Sequence, residues 1–127
     1  MIVDTSALMA ILLREAEADA CTAALDRDAD LAMSAATVAE ALIVAGRRGL
    51  GGQMEQLIAG LGIEIVAVTA AEARRVAAAY DRWGRGVHQA ALNFGDCFAY
   101  ALAKERDCPL LSLGNNVGNT DLMAALG

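Results

Sequence analysis

Short apolar runs alternate along the chain with longer stretches in which apolar residues recur every three or four positions. That is the pattern of buried strands laid between amphipathic helices. Ile2-Val3 reads as a strand ending in Asp4, after which Thr5 or Ser6 caps a helix through Leu13. A second helix is expected over Ala16 to Leu25, then a polar turn, Asp26 to Asp30, and a second strand, Leu31-Ala32-Met33. Ser34 opens a helix to about Arg48 with Val38, Leu42 and Ala45 on one face, and Gly46 to Gly52 reads as a linker. After a short helix from Met54 to Leu61 comes the clearest strand signal, Ile63 to Val68. Thr69 and Glu72 have capping-box spacing, and Ala73, Val76, Ala77 and Tyr80 form the stripe of the helix they open. Trp83 to Gln89 reads as a loop.

The next helix opens at Asn93-Phe94-Gly95-Asp96, with Phe94, Cys97, Phe98, Ala101 and Leu102 as its core stripe. Gly95 permits a sharp entry, and Asp96 serves as N-cap or first-turn residue. Cys108-Pro109 ends this helix, Leu110 to Leu113 is the last strand, and a terminal helix is expected after Asp121. Strands alternating with helices predict an α/β fold, a mainly parallel sheet covered on both faces, in a single domain over residues 1–127.

Composition narrows the picture. The hydrophobic fraction is 57%, but it is spread over helical periods, and no run of about 18 uncharged apolar residues suggests a membrane span. The start lacks the layout of a signal peptide. Cys21, Cys97 and Cys108 form neither CxxC nor an even set, so no disulfide framework or zinc site is indicated. A cytoplasmic location is the simplest expectation. The net charge of −6 argues against a non-specific nucleic-acid coat protein. It leaves room for an enzyme whose acids gather at one site, with arginines such as Arg82 and Arg85 meeting a phosphate backbone. His88 is the only histidine, so paired-histidine RNA cleavage without metal has no second partner.

In open parallel sheets functional groups gather beyond the carboxyl ends of the strands. Asp4 follows the first strand, Asn116 and Asp121 follow the last, Asp96 starts a helix, and Glu40 lies within one. Carboxylates meeting there without cations would repel one another, and oxygen ligands suit Mg²⁺ or Mn²⁺. A receiver fold fits less well because Asp4 stands alone, Val66-Ala67-Val68 ends in Thr69 and no lysine follows Leu110 to Leu113. A haloacid-dehalogenase fold fits less well because Ser6 occupies the second acid's place.

The ordered set Asp4-Thr5-Ser6-Ala7-Leu8, Glu40, Asn93-Phe94-Gly95-Asp96 and Gly114-Asn115-Asn116 to Thr120-Asp121 resembles a PIN domain. More narrowly, it resembles the VapC-type toxins of bacterial toxin–antitoxin pairs. The resemblance implies a PIN-like three-layer α/β/α sandwich and a Mg²⁺- or Mn²⁺-dependent endoribonuclease. It implies too a homodimer that is inhibited by a VapB-type antitoxin. Carried over, Asp4 and Asp96 are metal ligands, Glu40 ligates or orients the attacking water, and Asp121 completes the acidic group. Thr5, Ser6 and Thr120 support them by hydrogen bonds. The chain departs from the pattern at Asn116, where the family usually carries an acid. The alternative is therefore a weakened or inactive PIN-like binding domain.

Overall fold

The computed structural model describes residues 1–114 and 116–126; Asn115, part of the closing motif, lies outside them. The elements in order are β1 (Ile2–Val3), α1 (Thr5–Leu12), α2 (Ala18–Asp26), β2 (Ala32–Ser34), α3 (Ala35–Gly46) and α4 (Gly51–Gly60). They continue as β3 (Glu64–Val66), α5 (Ala70–Trp83), α6 (Phe94–Arg106) and β4 (Leu110–Leu111), followed by a 3₁₀ turn, Val117–Asn119. The four strands form one parallel sheet in the order β3-β2-β1-β4.

Strand alternation divides the core in two. Ile2, Ala32 and Leu110, aligned across the ladder, pack with Val76, Trp83, Tyr100 and Leu102 of α5 and α6. Their neighbours Val3, Met33 and Leu111 point the other way, into Leu8, Cys21, Ala41, Ala45 and Met54 of α1 to α4. Side chains on successive strand residues face opposite sides of a sheet, so even two-residue strands serve both layers. This is the three-layer α/β/α sandwich.

Several elements depart from the sequence pattern, each for a physical reason. The run Ile63 to Val68 yields only three strand residues, with Ile65 exposed on an edge. Its partner β2 ends at Ser34, whose side chain turns to cap α3 by accepting from Ala36 N–H (3.2 Å), so the ladder stops at Ser34–Val66. The buried stripe of α5 is Glu72, Val76, Ala79 and Trp83, whereas Ala73, Ala77 and Tyr80 lie outward. In an alanine-rich helix the small residues fix its rotation weakly. Trp83 sets it, through its indole N–H donating to Tyr100 Oη at 2.8 Å. Thr69 caps α5 at Glu72 N–H (3.1 Å), but the Glu72 carboxylate turns to Arg75 rather than closing a capping box. Part of the Gly46–Gly52 segment is helical: α4 starts at Gly51, whose Cα region lies against Gly46. Among the described residues no terminal helix follows Asp121. Leu110 N–H bonds to Met123 and Ala125 N–H to Leu110, so the last apolar residues extend the β4 edge. Among the described residues no helix is long and apolar enough to cross a membrane.

Candidate active site

β1, β2 and β4 all end at one edge of the sheet, and the helices that leave it there begin with polar side chains. Asp4 terminates β1 and caps α1. It is buried, and among the described residues the donors to its side chain converge on Oδ2: Ser6 Oγ at 2.9 Å, Ser112 Oγ at 3.3 Å and, more loosely, Ser6 N–H at 3.4 Å. Oδ1 receives none of these bonds. Ser6 Oγ also accepts from Leu113 N–H (2.9 Å), which ties the start of α1 to the end of β4. Ser112 was not legible as a site residue in an apolar Leu-Leu-Ser-Leu run. Its place at the carboxyl end of a strand was the available signal.

Glu40 reaches the same edge from α3. Its Oε1 accepts from Thr5 Oγ1 at 2.7 Å, and Thr5 also contacts the Thr37 carbonyl. Asp96 arrives from α6. Asn93 is the N-cap: its Oδ1 accepts from Asp96 N–H (2.8 Å) while Asp96 Oδ2 accepts from Asn93 N–H (3.0 Å), a reciprocal capping box. Asp96 is thus a first-turn residue. Gly95 is needed for a reason other than a sharp entry, since it lies within the helix. A Cβ there would stand 2.3 Å from Glu40 Oε2, so only glycine lets α6 pass this close to the Glu40 carboxylate.

Electrostatics join the three acids. Burial raises the Asp4 carboxyl above its ordinary 3.8; the Ser6 hydroxyl partly opposes this, and the charges of Asp96 and then Glu40 push it further up. Among the described residues no Lys or Arg forms an ion pair with any of the three. The donors are carboxylate and hydroxyl oxygens, a set that fits a hard divalent cation. They do not stand as a closed ligand cage: among the described residues no group of three His, Cys, Asp or Glu has metal-binding spacing. The cause is visible in the bonds above, because Asp96 turns one oxygen back to its own helix cap and Glu40 gives one to Thr5.

The other expected site residues are placed differently. Asp121 makes its bonds to side chains of α5 and α6. Its Oδ1 accepts from Tyr100 Oη at 2.6 Å, and its Oδ2 lies 3.1 Å from Lys104 Nζ and 3.8 Å from Arg82. The Tyr100 hydrogen bond, followed by Lys104 and Arg82, holds its carboxyl below the ordinary range. Burial, reinforced by Asp121, pushes the Tyr100 hydroxyl up to about 12. Thr120 is engaged locally, donating to the Val117 carbonyl at 2.6 Å and accepting from Leu122 N–H. Asn116 is exposed before the 3₁₀ turn, where its carbonyl receives Asn119 N–H. Arg82 lies over the Trp83 ring at 4.6 Å, whereas Arg85 lines a cleft with Tyr80, Asn93 and Phe94.

Comparison with known proteins identifies the family. The family model for the PIN domain matches residues 1–121. The chain belongs to the PIN domain family. Among curated PIN-domain relatives, Ribonuclease VapC30 of Mycobacterium tuberculosis is 40% identical over 125 residues, covering 96% of this chain and 95% of the relative. Ribonuclease VapC36 of the same species is 44% identical over 126 residues, covering 96% and 91%. The fold of this PIN domain also matches a crystal structure of M. tuberculosis VapC20, described as a sarcin–ricin-loop-cleaving toxin. There the TM-score is 0.79 at 12% identity, over 96% of this chain and 95% of that one. A toxin–antitoxin complex from Klebsiella pneumoniae matches with TM-score 0.67 at 16% identity, over 90% and 86%.

Proposed function

We propose that this PIN-domain protein is a VapC-type endoribonuclease, acting as one domain and as the toxin of a type II toxin–antitoxin pair. In this reading it hydrolyses RNA phosphodiester bonds at the edge formed by Asp4, Glu40 and Asp96, with Mg²⁺ or Mn²⁺ as cofactor. The observation that carries the reading is the mutual charge repulsion of three carboxylates that, among the described residues, have no Lys or Arg ion-pair partner, in a chain with a 40%-identical relative named a ribonuclease.

Asp4 and Asp96 would hold the divalent ion, which would neutralise charge at phosphorus and lower the pKa of a bound water. The chain's own residues have separable tasks. Ser6 and Ser112 fix Asp4 by binding one of its oxygens and leaving the other for the ligand. Thr5 holds Glu40 at one oxygen, leaving Oε2 toward α6 to orient the attacking water. The cognate partner is a VapB-type antitoxin, the working assembly a homodimer, and the compartment the cytoplasm; the Klebsiella complex supports an antitoxin partner at the level of fold.

A second reading, a weakened nuclease that chiefly binds, is favoured by two observations. Asn116 stands where the family pattern has an acid, and Asp121 is occupied by Tyr100 and Lys104. Incubating labelled RNA with the protein in Mg²⁺ and in EDTA separates the two. Cleavage in Mg²⁺ that EDTA abolishes supports the nuclease. No cleavage, with no Mg²⁺ or Mn²⁺ binding by calorimetry, supports the binding domain.

A further inference from the structure

Beside the acid edge lies a cleft of about 420 Å³ lined by Tyr80, Arg85, Asn93 and Phe94, within the ~300–1,000 Å³ range of small-ligand clefts. Three features mark it. The first is aromatic exposure. The chain has two phenylalanines and two tyrosines, and one of each lines this cleft. Phe94, which its spacing assigned to the core of α6, is 73% exposed, and Tyr80 is 38% exposed. A single exposed ring is ordinary, but two lining one cleft form an apolar patch of the kind that marks a binding surface.

The second feature is preorganisation. Phe94 is braced edge-on against Phe98, with centroids 5.0 Å apart and planes at 83°. The Tyr80 ring lies on the backbone of Gly84, where a Cβ would stand 2.8 Å from the ring, and its hydroxyl donates to the Arg85 carbonyl at 3.4 Å. Ordered rings present flat faces at little entropic cost. The third feature is charge and position. Among the described residues no carboxylate ion-pairs with Arg85, whereas Arg82 is drawn to Asp121. Asn93 belongs to both sites, since it lines the cleft and closes the capping box with Asp96.

We propose that Phe94, Tyr80 and Arg85 form a nucleobase subsite beside the acid edge, where a base of single-stranded RNA stacks on Phe94 and the adjoining phosphate meets Arg85. The inference rests on the ribonuclease reading above for its substrate class. A cation with aromatic faces is the combination that holds single-stranded nucleic acid without reading its sequence, whereas an apolar protein partner would not need the free guanidinium.

The test measures binding of a fluorescent single-stranded RNA oligonucleotide in EDTA, and of probes carrying one abasic nucleotide at successive positions. Phe94→Ala weakens binding by about tenfold to a hundredfold, Phe94→Trp retains it, and Phe94→Leu, apolar but without a ring face, loses it. One abasic position weakens wild-type binding and has no further effect in Phe94→Ala, which a merely structural role for Phe94 would not produce. Wild-type affinity in Phe94→Leu overturns the proposal. So does an unchanged affinity in Phe94→Ala together with loss of self-association by sedimentation, which would make the cleft a protein interface. RNA binding through Phe94 without Mg²⁺-dependent cleavage leaves the subsite standing and removes the nuclease reading. Mg²⁺-dependent cleavage with no Phe94 effect does the reverse.

Discussion

The molecule holds two carboxylate neighbourhoods of opposite character. Asp121 is encircled by groups that want its charge: the Tyr100 hydroxyl, Lys104 and Arg82. Around Asp4 the balance runs the other way: the Ser6 and Ser112 hydroxyls donate to one oxygen, but burial and the anions of Asp96 and Glu40 outweigh them. The first arrangement holds its proton less tightly than an ordinary carboxyl, the second more tightly. An acid satisfied by its neighbours has no electrostatic reason to bind a cation, and acids that repel one another do. The contrast supports the proposal that the Asp4 edge holds the ion, while Asp121 bonds the C-terminal segment to α6.

The comparison breaks first on activity. Asp96→Asn keeps a side-chain oxygen for the Asn93 N–H and so preserves the helix cap, but it removes a charge from the ion site. RNA cleavage is expected to fall by about a hundredfold or more, since the electrostatic help of a bound ion amounts to several kcal/mol. Asp121→Asn is expected to cleave within about threefold of wild type, losing only an exposed pair. Side-by-side rates on one RNA decide it, and equal losses would erase the distinction between the two regions.

Gly95→Ala sharpens the same point from the backbone. The added methyl collides with Glu40 Oε2, the far end of a flexible side chain, so the fold yields by moving the carboxylate. Cleavage is expected to drop by about tenfold, as misplaced catalytic groups cost rate steeply, with a melting temperature close to that of wild type. A large fall in melting temperature would mean that Gly95 serves packing instead.

How much of this was legible in the sequence depends on what each residue answers to. Asp4, Thr5, Ser6 and Asp96 sit at a strand end and at helix starts, where local pattern predicts position, and the structure places them there. Glu40 could be suspected but not placed, because only the tertiary approach of α6 across Gly95 puts it at the edge. Ser112 was hidden in an apolar strand. Phe94 shows the opposite error: helical spacing assigned it to the core, yet at the first position of α6 it is exposed, edge-on against Phe98. Asp121 was grouped with the other acids by order along the chain, and its fate was decided by Tyr100 and Lys104, one turn apart on α6. The fold itself was easier, since strand alternation had only to supply two faces, and it did so even where β3 was cut short by its partner.

A divalent ion should act on stability in one region only. Adding Mg²⁺ at about ten times its dissociation constant is expected to stabilise the wild type by about 1.4 kcal/mol, through binding to the folded state alone. Asp4→Asn is expected to show little of this shift, while Asp121→Asn keeps it. Thermal melts with and without Mg²⁺ measure the difference, and a shift retained in Asp4→Asn would place the ion elsewhere.

The smallest effect belongs to Asp121 and depends on pH. Its carboxyl titrates below its ordinary 3.8 in the folded chain, chiefly because Tyr100 donates to it, with Lys104 and Arg82 adding attraction. A depressed folded value means that the ionised form stabilises the fold. That contribution is present in full above the unfolded value and is lost as pH falls through the folded one. Asn in its place still accepts from Tyr100 but carries no charge. Asp121→Asn is therefore expected to be less stable than wild type by about 0.2–1 kcal/mol near neutrality, the range of exposed ion pairs. The gap should close as pH falls below the ordinary 3.8 and the folded wild-type carboxyl protonates. Paired melts from neutral pH downward measure it. A gap that persists at the acid end would show that the shape of the Asp121 side chain, and not its charge, holds the C-terminal segment to α6.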